Sequence, residues 1–219
     1  MTATAAVRPI TPAEFAADRL VHLAGFSLAL VAGAAVLARA IAAGGGGRVA
    51  AAAIYAFGLV AVFGFSAAYN LAVGNRHREL LRRLDHSSIF VLIAGTYTPF
   101  TVLGLAGGWA VGMTLLVWVI APIGVGVKML APQRRYEGLS IALYVAFGWI
   151  GLIAIVPLLD RLSPGVLILI GAGGLLYSVG VVFHAWARLR FQRAIWHVFV
   201  LAAAALHYAA VWQVVVGTA

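Results

Sequence analysis

Seven apolar stretches of roughly twenty residues divide this chain, and each is long enough to cross a lipid bilayer as a helix. The chain is 64% hydrophobic and 10% charged, whereas soluble domains average about 45–50% apolar and about 25% charged residues. These features exclude a soluble globular enzyme and predict an all-α integral membrane protein with seven transmembrane helices. The predicted spans are residues 20–43, 49–73, 87–104, 110–128, 138–158, 165–184 and 194–216.

The separators between these stretches are short, so residues 1–219 are predicted to form a single transmembrane domain. Residues 1–19 are expected to form a short amphipathic segment, since Thr11 and Glu14 have the spacing of a capping box, with Pro12 at the first helical position. This segment lacks the apolar core of a cleaved signal peptide. Because there is no cysteine, disulfides and thiolate metal sites are excluded.

Basic residues segregate between alternate loops, which predicts the orientation of the chain. Loops that retain Lys and Arg lie in the cytoplasm. The N-terminus is therefore predicted to be cytoplasmic and the C-terminus outside, and the net charge of +9 needs no nucleic-acid partner. The predicted inner side carries Arg8, Arg19, Arg76, Arg78, Arg82, Arg83, Lys128, Arg134, Arg135, Arg188, Arg190 and Arg193, and the other side carries Arg39, Arg48 and Arg161.

Polar residues concentrate at the start of the third span, where an acid and a histidine, Asp85 and His86, precede two serines. An ionisable group inside a span costs about 2.5 to 3.5 kcal/mol on insertion scales, so such a group is a candidate functional residue. Later in the same span Pro99 is expected to kink the helix and free backbone carbonyls, which Thr96 or Tyr97 could help to satisfy.

The predicted orientation brings polar groups of four spans to the cytoplasmic end of the bundle. Taken singly they have ordinary explanations: Asp85 and Arg193 as interfacial charges, Asn70 as an amide that bonds helices. Their convergence from non-adjacent helices instead predicts a shared polar site, as in metal and hydrolytic sites of helix bundles. The predicted site comprises His22, Ser66, Asn70, Asp85, His86, Arg193 and His197.

His207 follows His197 by ten residues, which places it about 15 Å deeper in the membrane. It has two interpretations: a hydrogen bond to a neighbouring helix or a role in a proton relay.

Motifs in four spans resemble the hemolysin III family, the bacterial branch of the progestin and adipoQ receptor superfamily, and the resemblance covers nearly the whole chain. The motifs are Val21-His22-Leu23-Ala24-Gly25, Ser66-Ala67-Ala68-Tyr69-Asn70, Leu84-Asp85-His86-Ser87-Ser88-Ile89-Phe90 with Gly95-Thr96-Tyr97-Thr98-Pro99-Phe100, and Ile195-Trp196-His197-Val198-Phe199-Val200.

The resemblance implies seven helices with the N-terminus inside, and a zinc ion near the cytoplasmic face. In the family three histidines bind this zinc, and an aspartate at the position of Asp85 holds its water. Zinc-bound water is a nucleophile at neutral pH, which suits hydrolysis of a lipid amide. Ser66 and Asp85 are therefore the candidate catalytic residues, and His197 is the retained metal ligand.

Two of the three ligand positions differ in this chain, where Asn70 and Arg193 replace histidines. Catalytic zinc normally has three protein ligands, so zinc, although a family feature, is not expected. The hypothesis is that Arg193 takes the place of the metal and pairs with Asp85. Asn70 and His197 would then satisfy the remaining hydrogen bonds.

The expected function is a role in membrane lipid homeostasis or signalling, as a multi-pass protein of the bacterial inner membrane. The expected ligand is a membrane lipid, fatty-acyl or sphingolipid-like. A zinc-dependent lipid amide hydrolase similar to alkaline ceramidases is the alternative, although Asn70 and Arg193 argue against it. A pore-forming cytolysin is a weaker alternative, because a pore needs polar lining along its whole length.

Overall fold

The computed structural model describes residues 9–72, 74–130 and 137–217. Within these ranges seven helical segments are long and apolar enough to cross a membrane, which confirms the predicted all-α, seven-span fold. Arg8, Arg134 and Arg135, used above for the orientation, lie outside the described residues. The helices are α1 (Pro12–Ala43), α2 (Gly46–Leu71), α3 (Arg78–Pro99), α4 (Gly107–Leu130), α5 (Glu137–Gly148), α6 (Ile155–Arg161), α7 (Pro164–Ala185) and α8 (Gln192–Val216).

The first helix begins at the predicted capping box and runs without a break into the membrane span. The Thr11 backbone N–H donates to Glu14 Oε2 at 2.9 Å, and the Glu14 N–H donates to Thr11 Oγ1 at 3.3 Å. Residues 12–19 of the expected amphipathic segment are the first turns of α1 and lead directly into the span. The polar side of these turns is buried rather than solvated. Glu14 and Asp18 are each 6% exposed, and they contact the start of α8 and the residue before it.

The helices pack in a ring in which α1 contacts α2 and α8, α3 contacts α2 and α4, and α7 contacts α8. Glycines allow the backbones of α2 and α3 to approach closely. A Cβ added to Gly58 would lie 3.1 Å from the Leu92 Cα, and one added to Gly95 would lie 3.2 Å from the Ile54 carbonyl oxygen. This crossing fixes the position of α3, which carries the polar motif.

The end of the third span is not a simple kink. Pro99 lacks the N–H that a regular helix needs, and the chain continues as a π-helical turn over Phe100–Gly104. Hydroxyls donate to carbonyls four residues earlier in this region, Thr96 to Leu92 at 2.8 Å and Thr98 to Ala94 at 2.8 Å.

The fifth span is interrupted near its middle. After α5 ends at Gly148, a 3₁₀ turn over Ile150–Ala154 connects it to α6. Tyr97 of α3 bridges the interruption, since its hydroxyl donates to the Gly148 carbonyl at 2.6 Å and accepts from the Gly151 N–H at 2.9 Å. A polar side chain of the third span thereby satisfies backbone groups that the broken fifth span leaves open.

Seven alternating spans place the start of α1 and the end of α8 on opposite sides of the bundle. The side at which α1, α3 and α8 begin, and at which α2 and α4 end, is called here the N-terminal face.

Candidate functional site

A cavity of about 850 Å³ lies inside the bundle, within the size range of small-molecule sites. It follows α3 from Arg82 near the N-terminal face to Thr101, about 28 Å along a helix. Its middle and far wall are largely apolar and include Ile89, Leu92, Ile93, Phe100, Leu105, Met113, Leu158, Leu167 and Ile170. The cavity is therefore long, and its lining beyond the polar end is mainly apolar, with Thr101, Ser178 and His207 among the polar exceptions.

Polar side chains collect at the end of the cavity near the N-terminal face. All seven residues selected from the sequence line this cavity, which brings α1, α2, α3 and α8 together around it. They are His22, Ser66, Asn70, Asp85, His86, Arg193 and His197.

Asp85 lies close to the Ser66 hydroxyl and to His197. One of the two amide hydrogens of Asn70 is used within α2, where Nδ2 donates to the Ser66 carbonyl oxygen at 2.9 Å. Beside Asp85, the His86 carbonyl oxygen accepts a hydrogen bond from the Tyr144 hydroxyl at 2.9 Å. The second span thus contributes the Ser66 hydroxyl and the third span the Asp85 carboxylate, and both line the polar end of the cavity.

The hypothesised pairing of Arg193 with Asp85 is not formed. Among the described residues Arg193 makes no ion pair, and its side chain is exposed. Because α8 begins at Gln192, Arg193 lies in its first turn, where a long basic side chain can extend toward water. The acid whose charge interacts with Arg193 is instead Asp18.

Asp18 joins the site as a residue that sequence reasoning missed. Its Oδ1 lies 2.7 Å from His197 Nδ1 and 3.5 Å from His22 Nε2. The two imidazole rings have their centroids 4.1 Å apart. The available signal was spacing: Asp18 and His22 are four residues apart, so they share one face of α1.

Glu14 connects the beginnings of α1 and α8. Its Oε1 accepts a hydrogen bond from the Phe191 N–H at 2.8 Å. Phe191 has φ +58°, a left-handed conformation that is strained for a bulky residue. This carboxylate therefore holds the turn that starts α8 and so helps to position His197, six residues after Phe191.

Lys128 is a second residue that sequence reasoning did not assign to the site. It lies in the last turn of α4, lines the cavity and is 8% exposed. Its ammonium donates to the Ser140 hydroxyl and lies 5.5 Å from the centre of the Tyr144 ring. From the sequence, Lys128 is interpreted as an ordinary loop charge, because nothing in the sequence indicates that the end of α4 directs this side chain into the bundle.

His207 lies deeper and belongs to helix packing. Its Nε2 lies 3.1 Å from the Ile170 carbonyl oxygen of α7, the first of its two interpretations. The ring fits against Gly173, where an added Cβ would lie 2.3 Å from it.

The zinc site implied by the family resemblance does not fit the residues present. Arg193 has no lone pair to offer a metal, and the Asn70 amide nitrogen is a donor to a carbonyl. His197 is the only one of the three ligand positions that still carries a histidine. The described residues do hold a different group that could bind a metal, Asp18, His22 and His197, whose ligand atoms all lie within 4.8 Å of one another.

Comparisons with known proteins find relatives over most of the chain. The chain is 35% identical over 208 residues to Hemolysin-3 of Bacillus cereus, which covers 94% of both chains. It is 41% identical over 128 residues to the Hemolysin-3 homolog of Bacillus subtilis (strain 168), or 58% of this chain and 60% of the relative. It is 29% identical over 170 residues to the human monocyte to macrophage differentiation factor, or 73% and 68%.

The family model described as "Haemolysin-III related" matches residues 17–208. This match begins in the first described helix and ends in the last, so it includes every helix that lines the cavity. The chain is therefore a member of the haemolysin III-related family of seven-helix membrane proteins.

Proposed function

We propose that this protein binds a membrane lipid by inserting an acyl chain into the cavity, and that it acts in membrane lipid homeostasis or signalling. One observation carries the proposal: the cavity of about 850 Å³ is apolar along most of its length and polar at one end. An acyl chain with a polar headgroup has the same distribution of polarity.

The charges at the polar end favour an anionic headgroup. Among the described lining residues three are cationic, Arg82, Lys128 and Arg193, and one is acidic, Asp85. Arg82 is also paired with the exposed Glu79 at 3.1 Å, so the cationic side chains Lys128 and Arg193 contribute most to the proposed preference for an anion. Lys128 is buried in the bundle, and an ionisable group inside a membrane domain is expected to have a functional role.

The proposed setting is the bacterial inner membrane, with the N-terminal face in the cytoplasm. The distribution of basic residues supports this orientation, and the basic end of the cavity would then open toward the cytoplasmic leaflet. That leaflet supplies anionic lipids.

Binding of a fluorescent long-chain fatty acid to the purified protein tests the proposal. Gly171 lines the cavity, and a Cβ added there would meet no atom within 4 Å. Gly171→Leu should therefore fill part of the cavity without displacing a neighbour. We expect it to weaken binding roughly tenfold, equivalent to about 1.4 kcal/mol.

Gly126→Leu is the matched control, because Gly126 also has free space around it but does not line the cavity. Equal weakening by both substitutions, or no saturable binding by the unsubstituted protein, would reject the proposal. The headgroup preference is tested by comparing the fatty acid with its uncharged methyl ester. Lys128→Gln should reduce the preference for the acid over the ester.

A further inference from the structure

We propose that Asp18, His22 and His197 form a binding site for a divalent transition metal, with zinc as the best-fitting ion. Two imidazoles and a carboxylate are ligands that zinc accepts in proteins. This set shares only His197 with the histidines that the family resemblance implies. Its other two members come from α1, a helix that contributes nothing to that implied set.

The backbone arrangement holds the three side chains together. Asp18 and His22 are one turn apart on α1, and α8 packs directly beside α1 and brings His197 against them. Ligands of a tetrahedral zinc ion lie about 3.3 Å from one another, given bonds of about 2.0–2.1 Å. The separation of 3.5 Å between Asp18 Oδ1 and His22 Nε2 already suits this geometry.

The contact between Asp18 and His197 must lengthen for both to bind one ion. At 2.7 Å it is a hydrogen bond, so the two atoms have to separate by about 0.6 Å to bind one ion. Rotation of the imidazole can supply this movement, because His197 borders the cavity. A bound metal ion would take the place of the proton between Asp18 Oδ1 and His197 Nδ1.

An unpaired nitrogen provides independent support for the site. His22 is 3% exposed, and its Nε2 has no hydrogen-bond partner in the part of the chain that the structure describes. Buried polar atoms are almost always paired. This nitrogen lies 3.5 Å from Asp18 Oδ1, a separation that an ion bound to both atoms would span.

His22 and His197 also line the cavity. A metal held by three protein ligands keeps an open fourth position, and in this arrangement that position would face the cavity.

Arg193 predicts how the affinity can be tuned. Its positive charge interacts with Asp18 and so competes with a bound cation for the same carboxylate. We therefore expect Arg193→Gln to strengthen metal binding several-fold. Position 193 is one at which the family resemblance implies a histidine ligand, but the arginine there repels a cation. A hydrogen-bonded triad with no affinity for metal would show no such gain.

The test is a titration of chelator-treated, detergent-purified full-length protein with Zn²⁺ and with Co²⁺. We expect one ion per chain, and a Co²⁺ absorption spectrum of a site with nitrogen and oxygen ligands. Asp18→Asn and His22→Gln should each weaken binding more than roughly tenfold, since even residues that only orient metal ligands contribute about 10- to 100-fold. His77→Gln and Asp160→Asn, which change the same residue types outside the site, should leave binding intact.

Absence of stoichiometric binding to the unsubstituted protein would overturn the inference, and this measurement needs no variant to fold. Retention of binding in both Asp18→Asn and His22→Gln, each eluting as a monodisperse species, would also overturn it. The titration uses no lipid, so it fails or succeeds independently of the proposed acyl-chain binding.

Discussion

At the scale of single residues, Asn70 and Arg193 determine which chemistry the polar end of the cavity can support. Both line it, at positions where the family resemblance implies metal-binding histidines. Neither offers the lone pair of a neutral imidazole. With these two side chains the family's set of three histidine ligands is incomplete, although Ser66, Asp85 and His197 still line the polar end of the cavity.

Restoring the two histidines should restore that ligand set. We expect the double substitution Asn70→His and Arg193→His to raise the affinity for Zn²⁺ at least roughly tenfold over the unsubstituted protein, because three imidazoles would then surround the cavity end. Isothermal titration of the purified proteins measures this gain.

The control for this experiment is Arg193→Gln alone, which removes the same positive charge without adding a ligand and should give a smaller gain than the double substitution. An unchanged affinity in the double variant would show that residues 70, 193 and 197 cannot reach a common ion.

Some of the site could be predicted from residue types alone, and some required the three-dimensional arrangement. Polar groups inside spans are costly, so Asp85 and His197 stand out in the sequence. Asp18 does not, because an acid near the start of a first span resembles an ordinary interfacial charge. Its role depends on which face of α1 meets α8, and that packing is not encoded in spacing.

At the scale of elements, the interrupted fifth span depends on the third. The chain leaves helical geometry between Gly148 and Ile155, and the Tyr97 hydroxyl bonds to both sides of the break. Inside a membrane there is little water to replace such bonds. The break is therefore stable only where α3 presents a hydrogen-bonding side chain to it.

Tyr97→Phe removes this hydroxyl and keeps the ring. We expect a loss of about 1–3 kcal/mol in the free energy of unfolding, because the Gly148 carbonyl and the Gly151 N–H each lose their partner. Denaturation of the detergent-solubilised protein, followed by circular dichroism, measures the loss. Tyr208→Phe is the control, since the Tyr208 hydroxyl has no hydrogen bond in the described residues, and equal losses would contradict the assignment.

The elements differed in how far their sequences specified them. All seven spans follow from hydropathy, and the start of α1 follows from its capping box. The 3₁₀ turn in the fifth span does not, because Gly148 and Gly151 resemble the packing glycines of the other helices. The bonds that make the break acceptable come from a residue about fifty positions earlier.

At the scale of the whole molecule, the ring of helices surrounds the cavity of about 850 Å³, whose basic end lies at the N-terminal face. Lys128 lies at the end of α4 and Arg193 at the start of α8. These two ends lie on the same side because an even number of spans, the fifth and the sixth, separates them. The seven-span count, the charge segregation and the polarity of the cavity are thus mutually consistent.

Reporter fusions test the orientation. We expect alkaline phosphatase to be active when fused after Gly217 or inserted at Gly45, and inactive when inserted at Gly74, because the basic loops should stay in the cytoplasm. A cytoplasmic fluorescent reporter at the same three sites should give the opposite pattern. The reverse pattern of activities would contradict the predicted topology.

The contacts between α1 and α8 also bear on how the protein is made. Glu14 meets Phe191 across 177 positions of the chain, and Asp18 meets His197 across 179. During synthesis the first helix enters the bilayer long before its partner has left the ribosome. Until the last span is inserted, Glu14 and Asp18 therefore lack their contacts with Phe191 and His197. In a chain truncated before α8, both acids would stay without these partners, a defect that quality-control proteases could recognise.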